Sequence, residues 1–493
     1  MMMTMTAFSY PDLLHLVLPE VIVLIAALGV LSVDLLFLRG FDVRVRSFAA
    51  ATLAAGGCVL AVLWILHAPQ VANVLDGMLV LSPHAQRVQI ALLVLTVLTV
   101  LVFAGVRFTQ HVGEYMALIL LATIGMMFLV STENLLVIFL SIELLSLSLY
   151  ILAAFNKRSG RSAEAALKYF LFGGVSAAFL LFGFSLLYGL SNSTNLTEIA
   201  STLHGPHLDP LLIVAMVMTL VGLGFKVAAV PVHFWAPDVY QGAPASSAGF
   251  IASGSKVAGF FILYQVMAIG LSSAGGSAVW HGFSAGWVPV VAVLATLSMV
   301  LGNLVAIMQT SVRRLLAYSA IGHAGYMLLG VLSHTDQSFT ALLYYAITYA
   351  LTVLGAFGVV ALVEEAAGGD TLAHFAGFSR RAPVASFCML IFMLSLAGIP
   401  PLAGFFGKFY LFSVVLNSTP GSLGLLWLVV LAIAMSAVSL YYYLKVLKSI
   451  YVADPPAETQ LVRVPIFRQV VLCLIALGVV VLGCAPNLLL HWL

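Results

Sequence analysis

GLGFKVAAVPVHFWAPDVYQGAPASSAGFIASGSK, residues 222–256, lies between long apolar runs and yet carries Lys226, His233, Asp238 and Lys256. A lysine at the centre of a membrane helix costs about 2.5–3.5 kcal/mol on insertion scales. The polar turn of the stretch runs from Ala236 to Ala245, with Lys226 ten residues before it and Lys256 eleven after it. At about 1.5 Å rise per residue each lysine stands about 15 Å from the turn. That is mid-depth in a hydrocarbon core about 30 Å thick. Pro231 and the Gly222/Gly224 pair predict a break in the first of the two helices. Proteins tolerate broken backbone at that depth only in buried or wet places. One lysine near a helix end snorkels to the interface; two at mid-depth point to a functional polar centre.

Composition sets the class. The chain has 493 residues, of which 62% are hydrophobic and only 8% charged, a balance that belongs to polytopic membrane proteins. A net charge of +2 argues against a nucleic-acid partner. Cys58, Cys388, Cys473 and Cys484 are scattered without a C-x-x-C pair, so they read as small core residues, with no metal and no disulfide expected. The N-terminal MMMTMTAFSYPDLLHLVLPE has no basic n-region, and no cleaved signal peptide is expected. The sequons at Asn192, Asn195 and Asn417 are short matches that carry no weight.

Fourteen apolar spans are expected, among them the fifth at 134–155, the sixth at 164–190, the seventh at 210–232, the eighth at 246–270, the tenth at 314–332 and the twelfth at 383–415. The twelfth is too long for one straight helix and contains Gly398-Ile399-Pro400-Pro401, so it predicts two half-helices. Of the 20 Lys and Arg, four lie inside spans, fifteen lie in or beside odd-numbered connections, Arg107 and Arg463 among them, and Arg87 alone falls on the other side. The positive-inside rule then places the odd connections in the cytoplasm and both termini in the periplasm of a bacterial inner membrane. The fold class is thus an all-α polytopic membrane protein. Its expected parts are an N-terminal three-helix segment (1–112), a five-helix repeat (113–270), a second repeat of inverted topology (286–446) and a last loop and helix (447–493). Each repeat holds one Gly/Pro-broken helix with a lysine, Lys226 or Lys408, and sites are expected at the breaks.

Further titratable residues join these. Glu143 sits nine residues into the fifth span, and Lys168 lies near the cytoplasmic end of the sixth. A Glu143–Lys168 ion pair across that hairpin would offset both desolvation costs, and it reads as a switchable pair. His323 lies near the middle of the tenth span, and its ordinary pKa of about 6.5 suits a relay. His233, Asp238 and Tyr240, near the turn, either line an entry route or cap the helix break. Glu143, Lys168, Lys226, Lys256, His323 and Lys408 together form a proton-relay set, poor in the oxygen ligands that Na⁺ wants. A lateral row Lys226–Lys256–His323–Lys408 is expected, parallel to the membrane plane, with Lys256 and His323 between the two broken helices.

The motifs GLGFKVAAVPVHFWAPDVYQGAP, SIELLSLSLY, RRLLAYSAIGHAGY, LSLAGIPPLAGFFGKFY and SLYYYLKV closely resemble those of the antiporter-like subunits of respiratory complex I. Within that family the chain looks most like the N subunits of bacterial NADH-quinone oxidoreductase, counterparts of mitochondrial chain 2, on PDVYQGAP and SLYYYLKV. The resemblance covers nearly the whole chain. It implies proton translocation driven by electron transfer elsewhere in the complex. Glu143, Lys168, Lys226, Lys256, His323 and Lys408 each match a polar position of the family. NADH, FMN, iron–sulfur clusters and quinone are expected in partner subunits, with no cofactor in this chain, which lacks a Rossmann fingerprint after a strand and a cysteine cluster. The alternative is a subunit of a cation/proton antiporter of shared ancestry. A membrane scaffold would need no mid-depth lysines.

Overall fold

The computed structural model describes residues 10–68, 72–105, 108–203, 209–418, 424–455 and 464–493. The extreme N-terminus, Arg107, Arg463 and the last residue of the Asn417 sequon lie outside the described residues. Among the described residues thirteen helices are long and apolar enough to cross a membrane. The expected twelfth span is replaced by two shorter helices in series, Pro383–Ala397 and Ala403–Asn417.

In chain order the helices that matter here are α1 (Leu18–Leu38), α2 (Val43–Ile65), α3 (Pro83–Val102), α4 (Val112–Val130), α5 (Leu135–Ala153), α6 (Gly160–Ser191) and α7 (Pro210–Val227). After α7 come the short α8 (Trp235–Gly242), then α9 (Ala245–Ala252) and α10 (Gly254–Tyr264). They are followed by α11 (Trp287–Ile307), α12 (Val312–Ser333), α13 (Asp336–Ala367), the half-helices α14 (Pro383–Ala397) and α15 (Ala403–Asn417), α16 (Leu426–Tyr451) and α17 (Ile466–Cys484). Two small antiparallel hairpins, Ala72–Val74 with Leu79–Leu81 and Ser277–Val279 with Gly282–Ser284, sit in connections.

Both expected breaks are present and share one backbone plan. α7 ends as Ala228 turns left-handed (φ 60°), with the Ala229 N–H bonded back to the Gly224 carbonyl at 2.9 Å. α14 ends as Gly398 turns left-handed (φ 88°), with the Ile399 N–H on the Leu394 carbonyl at 3.0 Å. This six-to-one bond satisfies a carbonyl that the helix end leaves orphaned. Three residues after each left-handed residue stands a proline in a cis peptide, Val230–Pro231 and Pro400–Pro401. Proline has no N–H to continue a helix.

The first break falls directly after Lys226, between the Gly222/Gly224 pair and Pro231 that predict it, because Ala228 and Pro231 end the helix before the polar turn is reached. The structure corrects the reading of this region in two ways. The stretch read as a turn is mostly helix, α8, and only Ala243 and Pro244 link it to α9. The eighth span is itself interrupted: Ser253 (φ −104°, ψ −93°) separates α9 from α10, and residues 265–270 widen into a π-helical turn.

Small residues let the helices approach. α11 meets α12 so closely at Gly302 that a Cβ there would come within 2.5 Å of the Gly322 nitrogen and 2.9 Å of the Tyr318 carbonyl oxygen. The N-terminal helices are tied to the rest by a buried pair, Arg46 donating to both Asp34 carboxylate oxygens at 2.7 Å, with the Gly113 N–H on the same carboxylate at 2.9 Å. Gly302→Ala is expected to destabilise the chain by about 1–3 kcal/mol through overpacking, read as a lower thermal transition of the detergent-solubilised protein. Gly174→Ala, where a Cβ meets nothing within 4 Å, is the control that should leave the transition in place.

Candidate functional site: a buried polar chain

The four residues of the expected row are all buried, Lys226 at 4% exposure, Lys256 at 2%, His323 at 2% and Lys408 at 5%. Hydroxyls, backbone carbonyls and aromatic rings hold them in different combinations.

Lys226 occupies the last turn of α7 and donates to the Ser146 hydroxyl on α5 at 3.0 Å. Glu143 lies three residues before Ser146, on the same face of α5, so its charge faces Lys226 and the two interact electrostatically. The Phe225 carbonyl accepts both the Ala228 N–H and the Trp235 indole N–H at 3.0 Å, which leaves the lysine free of the helix end. Across the break, the Val230 N–H donates to the Ser298 hydroxyl at 2.9 Å.

Lys256 opens α10, just past the Ser253 interruption, and donates to the Ala320 carbonyl on α12. Its ammonium also lies 5.5 Å from the Tyr349 ring centre, a cation–π contact that is worth more in a desolvated place. Its helix runs close to α7, for a Cβ on Gly259 would stand 3.5 Å from the Lys226 side chain. His323, one turn beyond Ala320, is bonded through both ring nitrogens, Nδ1 to the Tyr345 hydroxyl at 2.7 Å and Nε2 to the Tyr443 hydroxyl at 3.1 Å. The Tyr443 hydroxyl is in turn bonded to Ser319. The Tyr349 and Tyr326 rings flank the imidazole at 4.8 and 5.7 Å.

Lys408 lies ten residues past Gly398, on the second half-helix, whereas Lys226 lies on the first half of its own broken helix. It reaches back across the break and donates to the Leu396 and Ala397 carbonyls at 3.0 and 3.1 Å and to the Ser436 hydroxyl at 2.8 Å. The negative end of the α14 dipole suits a cation there. Tyr326 lies under the ammonium at 5.3 Å. Lys256, Tyr349, His323, Tyr326 and Lys408 thus follow one another by ring contact.

Lys168 departs from expectation. It does not bond Glu143: its ammonium is shared between Asp238 and Glu164, each at 2.7 Å. The cause is α8, which folds back onto α6. Trp235 stacks on Tyr169 at 4.4 Å, and Asp238 follows one turn later to meet Lys168. The other Asp238 oxygen accepts from Arg314 at 2.8 Å. Arg313 donates to the Tyr240 carbonyl at 2.7 Å, to the Ala243 carbonyl, and to Glu364 at 2.9 Å. Asp238 therefore bridges α6 and α12 through α8. Burial alone would raise its carboxyl pKa, but the bonds from Lys168 and Arg314 outweigh it and hold it below the usual carboxylate range. His233 is buried with its ring 4.6 Å from that of Phe234; its Nδ1 and the Tyr240 hydroxyl have no hydrogen-bond partner among the described residues.

The comparisons with known proteins match this architecture. Residues 132–436 match the family model for the membrane-spanning part of NADH:quinone oxidoreductase and Mrp antiporter subunits. The chain is 54% identical to an NADH-quinone oxidoreductase subunit N of Acidobacterium capsulatum, over 99% of this chain and 100% of that one. It is 40% identical to the subunit N of Desulforamulus reducens, over 84% of each. The chain belongs to the subunit N family of NADH-quinone oxidoreductases. A chain of respiratory complex I from Thermus thermophilus superposes with a TM-score of 0.78 at 32% identity, over 96% of this chain and 98% of that one. A chain of the Mrp complex from Dietzia, at 20% identity and a TM-score of 0.81, over 97% and 96%, shares the fold.

Arg313, Arg314, Ser146, Ser436, Tyr326, Tyr345, Tyr349 and Tyr443 make contacts at the site that the sequence reading did not single out, although several lie inside the quoted motifs. For the serines and tyrosines the signal was a run of hydroxyls on spans that otherwise carry apolar side chains.

Asp238→Asn is expected to loosen α8 from α6 and α12, lowering the thermal transition of the protein at neutral pH by an amount matching about 1–3 kcal/mol. Because the folded carboxyl pKa lies below its ordinary 3.8, the contribution is complete above that value and is lost as pH falls through the lowered one. The difference between variant and wild type should be flat across the neutral range and shrink only in strong acid, as melting curves at several pH values will read.

Proposed function

We propose that this chain is a membrane-arm proton-translocating subunit of an NADH:quinone oxidoreductase. On this reading it works within a translocase complex whose NADH, FMN, iron–sulfur clusters and quinone are held by partner subunits. The observation that carries the proposal is the buried chain of titratable side chains joining the two broken helices: Lys226 beside Glu143, then Lys256, His323 and Lys408 with tyrosines between them. An ammonium or imidazole removed from water is costly in either charge state unless partnered. Hydroxyls that serve as donor and acceptor alike give Lys226, His323 and Lys408 a place to pass or take a proton, at Ser146, at Tyr345 and Tyr443, and at Ser436.

Lys226 and Glu143 are assigned to one half and Lys408 to the other, with Lys256 and His323 carrying the proton between them. Lys168 is assigned to the same proton-transfer set, and Asp238, His233 and Tyr240 to entry or to the support of the break. The repeats at 113–270 and 286–446, flanked by 1–112 and 447–493, are supported by the shared backbone plan of the breaks at Ala228 and Gly398. The excess of Lys and Arg on one side supports cytoplasmic odd connections and periplasmic termini in a bacterial inner membrane. A cation/proton antiporter subunit has the same fold. It is the less favoured reading because the matched identity over the full chain is to subunit N proteins.

The test begins with co-purification of the chain with an NADH-oxidising complex. Lys226→Ala in the assembled complex should then lower NADH-driven proton uptake by about tenfold or more, the scale for loss of a positioned proton-transfer group. Unchanged uptake in assembled variant would refute the assignment. Glu143→Gln and Lys226→Ala should be non-additive by about 0.5–3 kcal/mol, since each faces the other. Glu143→Gln and Lys168→Met should add, because Lys168 has Asp238 and Glu164 as its partners.

A further inference from the structure

Two thiols outside the polar chain meet at the second broken helix. Cys388 on α14 and Cys473 on α17 are 85 residues apart in sequence, yet their sulfurs lie 3.9 Å from one another. Cys388 is buried, and Cys473 is exposed on the apolar outer surface beside Val470, Leu474 and Leu477. The sequence reading of four scattered core cysteines therefore fails at Cys473 and Cys484, both exposed, and Cys473 opens outward while touching a buried partner.

α17 lies as a splint along the break. At Gly483 it comes so near the broken segment that a Cβ would stand 2.2 Å from the Pro401 carbonyl oxygen and 2.4 Å from the Leu402 carbonyl carbon. The Leu482 carbonyl accepts from the Tyr344 hydroxyl at 2.6 Å. Ten residues earlier on the same helix, Cys473 touches the first half-helix. α17 thus contacts both sides of the break whose two sides Lys408 joins, through its bonds to the Leu396 and Ala397 carbonyls.

We propose that Cys388 and Cys473 are a thiol–disulfide pair, oxidised from the lipid side by a quinone-class acceptor, whose closure fastens the first half of the second broken helix to α17 and restrains the surroundings of Lys408. A disulfide needs its sulfurs at about 2.05 Å, so closure draws them together from their 3.9 Å separation on two helices already in contact. Two S–H bonds break and one S–S bond forms. The two electrons and two protons pass to the quinone, which becomes the quinol. The oxidant is lipid-soluble because the open side of the pair is the apolar surface. A dithiol reductant reverses the step by thiol–disulfide exchange. The effect on proton movement rests on the role given to Lys408 above; the cross-link itself does not.

Membranes holding the assembled complex, without NADH, are exposed to a short-chain ubiquinone analogue or to copper–phenanthroline, then digested without reductant. The expected product of both treatments is one peptide pair joined through Cys388 and Cys473, two hydrogens lighter than the free peptides, absent in Cys473→Ser and in Cys388→Ser. After removal of excess oxidant, NADH-driven proton uptake should fall in proportion to the linked fraction, recover with dithiothreitol, and stay unchanged in treated Cys473→Ser. No linked peptide, or linkage by copper–phenanthroline alone, overturns the proposal, and so does linkage that leaves proton uptake intact. Lys408→Ala with undiminished uptake would instead overturn the role of Lys408, while leaving the cross-link result to stand.

Discussion

A backbone interrupted inside a hydrocarbon layer is the constraint on which the rest of this molecule depends. Each interruption leaves amide and carbonyl groups that water cannot reach, and each unmet group costs free energy comparable to a lost hydrogen bond. The chain meets the demand locally first, with the same six-to-one bond at Ala229 and Ile399. It then recruits side chains: Trp235 and Ser298 at the first break, Ser395 and Lys408 at the second. The polar side chains at membrane depth and the broken backbone are two halves of one solution, because each supplies what the other lacks.

The two halves do not divide that work alike. At the first break an indole satisfies the exposed carbonyl, and Lys226 is left to a serine and to the field of Glu143. At the second the lysine itself occupies the carbonyls, and among the described residues no carboxylate is paired with it in a salt bridge. A carboxylate offsets an ammonium by charge, whereas carbonyl dipoles and a ring face offset it by partial charges fixed in place. Deprotonating Lys226 leaves Glu143 without its counter-charge. Deprotonating Lys408 leaves helix-end carbonyls with a weaker donor. The two ends of the polar chain therefore offer two different kinds of environment, one able to change partners and one built into the backbone.

The sequence carried much of this and missed the rest for identifiable reasons. The class, the span pattern and both breaks follow from apolar run lengths and from Pro231 and Gly398-Ile399-Pro400-Pro401, because proline and glycine act on the backbone locally. The placement of Lys256 and His323 inside apolar spans follows from counting along the sequence. The partner of Lys168 did not follow. Pairing it with Glu143 assumed that adjacent spans supply adjacent charges, but α8 turns back and inserts Asp238 from 70 residues downstream. What the sequence did not show is that Ala228, a residue with no turn preference of its own, takes the left-handed position at the first break that Gly398 fills at the second. The tyrosines hydrogen-bonded to His323 lie on α13 and α16, and no spacing along one helix announces them.

The position of α8 gives the two halves a mechanical connection as well as a polar one. Its Asp238 is held by Lys168 from the first half and by Arg314 from α12, and the carbonyls of Tyr240 and Ala243 are held by Arg313 of the same helix. α12 also carries His323 and the Ala320 carbonyl that receives Lys256. Any rearrangement of the first break that shifts α8 therefore pulls on the helix that carries the middle of the chain. Packed helices respond to such a pull by moving between discrete arrangements rather than by bending continuously. Two arginines and one aspartate thus tie the segment after the first break to the helix that carries His323 and the Ala320 carbonyl, a connection that the sequence displays only as a basic end of one span and a polar turn of another.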